Sequence, residues 1–142
     1  GSPRDCWLLC RSIRSFPYRM RAHNENAQKL AEFLSDHPKV KEVYYPGLES
    51  HQGYEIARAQ MSGFGGMISF LFDGTEEESL KAVASSKLIT RATSLGGIES
   101  TWEHRRSSEG DQSHSPENLI RLSVGLEHPD DLIEDLKQAL KG

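Results

Sequence analysis

The run Leu119-Ile120-Arg121-Leu122-Ser123-Val124 constrains the fold more than any other stretch. Its letters alternate with a period of two, so the strand needs one face on a core and the other open. Arg121 stands in the middle of it and must emerge on the polar face. Such a strand needs partners, and others can be read. Residues 40–45 alternate and close at the turn Pro46-Gly47, residues 67–72 are nearly continuous in apolar letters, and residues 88–92 form a short further run.

Helical stretches supply the second layer. Residues 3–34 carry apolar letters at Cys6, Leu9, Cys10 and Ile13, then at Met20, Ala27, Leu30, Ala31 and Leu34, close to a 3.6 period. This predicts a long helical lead-in of one or two helices, started near Pro3 and kinked or broken at Pro17. Asp36-His37-Pro38 ends it. Residues 51–61 read as a short helix. Thr75 with Glu78 makes a capping box for a helix running to about Ser85. A closing helix over 130–140 sets Leu132, Ile133, Leu136, Ala139 and Leu140 on one side. Residues 104–118 are polar and read as a long surface loop. The expectation is one α+β domain over residues 1–142, a two-layer sandwich with a small, mostly antiparallel sheet and helices on one face. A chain entering in mid-helix also reads as part of something longer.

Composition excludes some functions. The formal net charge of −4 gives no basic footprint for nucleic acid. No apolar run reaches the length of a membrane-spanning helix. Cys6 and Cys10, four apart on a helix, rarely meet disulfide geometry and read as small residues packing inward. Few, unpaired thiols suit a reducing compartment such as the cytoplasm. The six histidines are scattered, most read as surface residues, and Glu103-His104 lacks the further ligands a metal needs. Gly63, Gly65 and Gly66 match neither the dinucleotide fingerprint nor the P-loop.

Two features point to an anion. The Ser94-Leu95-Gly96-Gly97 turn follows a strand and could present backbone N–H groups. Arg121 carries a planar fork that matches a carboxylate with two parallel hydrogen bonds. An ordinary solvent-facing arginine has the same local pattern, so the residues alone leave both readings open.

Three stretches narrow the choice: Thr93-Ser94-Leu95-Gly96-Gly97-Ile98-Glu99-Ser100, Asn118 through Glu127 with its Arg-Leu-Ser-Val-Gly-Leu-Glu run, and Asp130 through Leu136. They resemble the trans-sulfuration enzymes of Cys/Met metabolism, the cystathionine gamma-synthase, cystathionine gamma-lyase and methionine gamma-lyase family. Tyr45-Pro46-Gly47-Leu48 and Gly63 through Phe70 carry the likeness upstream, as does the opening around Trp7 and Arg19-Met20. The resemblance implies a fold-type I enzyme whose large domain binds pyridoxal phosphate through a lysine and whose C-terminal domain closes the substrate side. It implies that Arg121 takes the α-carboxylate of a sulfur amino acid, with Ser94, the Leu95 backbone and Thr93 beside it. Members of that family often carry an acid or an aromatic where Thr93 stands, so lyase, synthase and sulfhydrylase stay open.

The family's Schiff-base lysine has no counterpart among the seven lysines here. The chain is therefore expected to bind no cofactor itself and to be inactive alone. Its partners would be its own cofactor domain and further copies. The competing expectation is a stand-alone, non-catalytic module that binds amino acids or assembles.

Overall fold

The computed structural model describes residues 1–110 and 112–141. Five strands form one sheet: β1 (Val40–Tyr44), β2 (Met67–Phe72), β3 (Thr90–Arg91), β4 (Thr101–His104) and β5 (Leu119–Ser123), in the spatial order β1-β2-β5-β4-β3. Only the β3–β4 pair is parallel. The α+β reading with a mostly antiparallel sheet is therefore correct.

The helices are α1 (Pro3–Ile13), α2 (Phe16–Ser35), α3 (Tyr54–Gln60), α4 (Glu76–Ser85), α5 (Arg105–Glu109) and α6 (Pro129–Ala139). One face of the sheet presents Ile68, Phe70 and Phe72 from β2, Ile120 and Leu122 from β5, and Trp102 from β4. These pack with Ala27, Leu30, Ala31 and Leu34 of α2 and Leu132 and Leu136 of α6 into one core. Alternation puts every second side chain on that layer, and burying it is the main stabilising term. Helix α4 starts where expected, with Thr75 and Glu78 closing the capping box. No helix of the described residues is long and apolar enough to cross a membrane.

The lead-in differs in detail. The helix breaks at Arg14-Ser15, so Pro17 falls in the first turn of α2, where its missing N–H has no partner to lose. Helix α1 carries a capping box of Ser2 and Asp5. None of its residues is buried, and Cys6 and Cys10 stand exposed instead of packing inward.

Helix α5 lies inside the stretch expected as a loop, and strand β4 in residues 101–104, just before and at its start. Thr-Trp-Glu-His has one large apolar letter, too few to show a period, yet all four residues are buried. His104 then caps α5: its Nδ1 accepts from Ser107 N at 3.3 Å. That leaves Nε2 to donate to Glu117 O at 2.6 Å, so residues 105–117 are anchored at both ends. His104 and His23 are buried, while the other four histidines are exposed or partly exposed, in line with the reading of most as surface residues. Strand β3 is shorter than residues 88–92 because Asp135 takes the amides of Lys87, Leu88 and Ile89, at 2.8, 2.9 and 2.9 Å.

Asp135 carries a prediction. Burial raises the pKa of its carboxyl, but bonds from the Ile89, Lys87 and Leu88 amides and from Gln138 outweigh that and hold it below the usual value of 3.8. A depressed folded value means stability present above pH 3.8 and lost as pH falls through the lower value. Asp135→Ala should therefore lower unfolding free energy at pH 7 by about 2–4 kcal/mol, since three amides lose a charged acceptor. The gap between the two proteins in denaturant melts should close below pH 3.8.

Candidate carboxylate-binding site

Three strands bring the polar row of the sheet into register. Ser69 of β2 faces Arg121 of β5, and Arg121 faces Glu103 of β4. Directly opposed side chains in an antiparallel pair are close enough to interact. Here Arg121 Nη2 meets Glu103 Oε1 at 2.6 Å, and the same Nη2 donates to Thr93 O at 2.7 Å. Arg105 Nη1 reaches Glu103 Oε1 at 2.9 Å from the far side, and its Nη2 reaches Glu109 Oε1 at 2.8 Å. Glu109 is held well down, to about 2, by the hydroxyls of Ser113 and Ser115 and then by Arg105. A line of alternating charge thus runs from the sheet face into the 105–115 segment.

The loop over residues 93–100 roofs this row, and the end of β5 holds it there. Thr101 Oγ1 donates to Ser94 O at 2.7 Å, and Gly96 N donates to Ser123 Oγ at 2.9 Å. Glu127 accepts from Ser100 twice, from its N at 2.6 Å and its Oγ at 2.8 Å. Gly125 N donates to Ser100 Oγ at 2.8 Å, and Leu126 N donates to Ile98 O at 2.8 Å. From below, Asn26 of α2 donates to Gly125 O and Glu127 O, and His23 Nδ1 lies 2.7 Å from Val124 O. The two most characteristic sequence runs are thus one structural unit.

Gly96 needs its glycine for conformation, with φ at +74°. Gly125 needs its own for space, as a Cβ there would lie 2.5 Å from Ile98 O.

Each residue expected at the site falls into this unit. Arg121 has a side chain 20% exposed, so it is reachable yet held. Thr93, Ser94 and Leu95 are exposed on the loop above it. Among the described residues, Arg121 Nε and Nη1, Ser94 Oγ and Leu95 N have no hydrogen-bond partner. Arg121 Nε–H and Nη1–H point to different sides of the guanidinium and can each give a carboxylate one hydrogen bond, as can the Ser94 hydroxyl and the Leu95 amide. At the Leu95-Gly96 part of the loop a cavity of about 280 Å³ is walled by Phe16, Met20, Met67, Leu95 and Val124, among others.

Glu103 escapes sequence reading as a site residue. Its type offered no signal, because nothing local says that an acid in β4 opposes Arg121. Glu127 and Ser123 lay inside the characteristic run, but their role of holding the loop needs the fold.

No lysine accompanies the arginine. Lys39 lies over the Phe72 ring, Lys41 pairs with Asp73 and Lys137 with Glu134, while Lys29, Lys81, Lys87 and Lys141 are exposed. Among the described residues no group of His, Cys, Asp and Glu could hold a metal ion.

The sequence model of the Cys/Met metabolism PLP-dependent enzymes matches residues 1–141. A cystathionine gamma-synthase of Mycobacterium leprae (strain TN) is 46% identical over 144 residues, covering 98% of this chain and 37% of that protein. An L-methionine gamma-lyase of Fusobacterium nucleatum subsp. polymorphum is 42% identical over 151 residues, covering 98% and 37%. The crystal structure of metB from Corynebacterium glutamicum superposes with a TM-score of 0.88 at 46% identity, over 96% of this chain and 37% of that one. The chain thus spans about 37% of the length of the curated relatives it matches.

Proposed function

Because the chain belongs to the Cys/Met metabolism PLP-dependent enzyme family, we propose that it is the C-terminal, substrate-side domain of a longer enzyme of sulfur amino-acid metabolism. Arg121 binds the α-carboxylate of the amino-acid substrate, and Ser94 and the Leu95 amide help to seat it. The observation that carries this reading is a guanidinium fixed by Glu103 and Thr93 through Nη2, with its Nε and Nη1 donors unused. Fixing the carboxylate fixes the rotation of the substrate about its Cα, and so selects which Cα bond is labilised. The cofactor, held by the rest of the parent protein, supplies the electron sink for that bond. Substrates of the cysteine, homocysteine, cystathionine or methionine type fit the relatives' activities. Thr93 offers a hydroxyl before Ser94 and leaves lyase, synthase and sulfhydrylase undivided.

The exposed apolar side chains of α1 and the start of α2, Trp7, Leu8, Leu9, Ile13 and Phe16, form the contact with the cofactor domain and with neighbouring protomers. Unpaired Cys6 and Cys10 suit the cytoplasm.

Reductive trapping tests the division of labour. This chain alone, incubated with pyridoxal phosphate and borohydride, should give no stoichiometric lysine adduct by mass spectrometry. The full-length protein should give one, on a lysine outside residues 1–142. A single stoichiometric adduct on a lysine of this chain would contradict the reading.

A further inference from the structure

We propose that Glu103 is a positioning residue for Arg121: it grips Nη2 of the guanidinium so that the remaining Nε–H and Nη1–H donors are held, already oriented, for the substrate carboxylate. This rests on the reading of Arg121 as the carboxylate-binding residue.

Glu103 is an unusual residue to find in β4. Its side chain is 3% exposed, and taking a carboxylate out of water is costly unless it is paired. Two arginines pair it, yet both meet the same oxygen: Arg121 Nη2 at 2.6 Å and Arg105 Nη1 at 2.9 Å, on Oε1. Oε2 is buried and has no partner among the described residues. A pair selected only for stability would use the parallel, two-bond fork of arginine and carboxylate, which satisfies both oxygens. Here Arg121 gives Glu103 a single nitrogen and keeps Nε and Nη1 back.

The second contact of that nitrogen, to Thr93 O at 2.7 Å, ties it to the loop that carries Ser94. A long, flexible arginine would otherwise lose rotamer freedom each time it bound a ligand. Held in advance by the acid directly opposite in the sheet, it loses little. Arg105 completes the arrangement. Its Nη1 shares Glu103 Oε1 while its Nη2 pairs with Glu109, so Glu103 keeps a second partner when Arg121 meets a ligand.

The test uses the full-length holoenzyme and compares Glu103→Gln, Glu103→Asp and Arg121→Ala. Glu103→Gln keeps the shape and removes the charge. It should raise KM, and the Kd of a non-reacting amino acid measured by calorimetry, about tenfold, with kcat within about threefold. Glu103→Asp keeps the charge and should fall between Gln and wild type. The KM-against-kcat split separates positioning from a merely structural role, which would lower the melting temperature and leave KM unchanged in the folded enzyme. That second pattern, in either Glu103 variant, overturns the proposal. If Glu103→Gln does not fold, Glu103→Asp alone decides by the same split. If Arg121→Ala itself leaves KM and Kd unchanged, the reading of Arg121 falls and this inference with it. A strong Arg121 effect beside inert Glu103 variants overturns the inference alone.

Discussion

Arg121→Ala in the full-length enzyme is expected to lower kcat/KM for the amino-acid substrate by about a hundredfold or more. Truncating one partner of a hydrogen-bonded charge pair typically costs roughly 2–5 kcal/mol, or about thirtyfold to several thousandfold. Much of that loss should appear in KM, because the carboxylate is bound in ground and transition states alike. A further part should appear in kcat, through loss of alignment at Cα. Arg121→Lys keeps the charge but not the fork and should recover only part of the activity. The fold should survive either change, since Arg105 remains on Glu103 Oε1 at 2.9 Å. Steady-state kinetics with circular dichroism as a folding control checks this. Unchanged kinetics in Arg121→Ala would contradict it.

Gly125→Ala should be the most damaging methyl addition in the domain. Its Cβ would stand 2.5 Å from Ile98 O and 2.6 Å from the backbone carbon of Glu99. Both neighbours are backbone, so no side chain can rotate away. Either β5 separates from the 93–100 loop or the loop moves off the guanidinium. Overpacking of this kind costs about 1–3 kcal/mol, and the rigid neighbours place it at the upper end. Gly97→Ala is the control. There the added Cβ meets only the Glu99 side chain, 3.1 Å away, which can yield. Thermal melts of the two variants should differ clearly, with Gly125→Ala far below wild type and Gly97→Ala near it. Equal melting temperatures would mean that the loop is not clamped through Gly125.

Much of this architecture could be read from local pattern, and the boundary is instructive. Strand β2, helix α4 with its capping box, strand β5 and helix α6 each carry a signal contained within a dozen residues. Strand β4 carries none. Trp102 is its one large apolar residue, and it is a strand because β5 and β3 lie on either side to pair with it. Helix α5 depends on a cap by His104 that exists only once Glu117 orients the imidazole. The break in the lead-in was displaced by two residues because Pro17 serves as a helix starter after Ser15.

The site divides in the same way. Arg121 and the glycine turn stand out locally, as a charge in an apolar strand and as a cluster of small residues. Glu103 becomes meaningful only through cross-strand register, which relates residues 18 positions apart in sequence. Residue type alone could not distinguish it from a solvent-facing acid.

A crystal structure of the full-length holoenzyme with a bound amino acid would show whether Arg121 receives the substrate carboxylate. The α-carboxylate should accept a hydrogen bond from Arg121 Nε or Nη1 and lie near Ser94 Oγ, with Nη2 still on Glu103. A carboxylate held by other residues, with Arg121 untouched by the ligand, would contradict it.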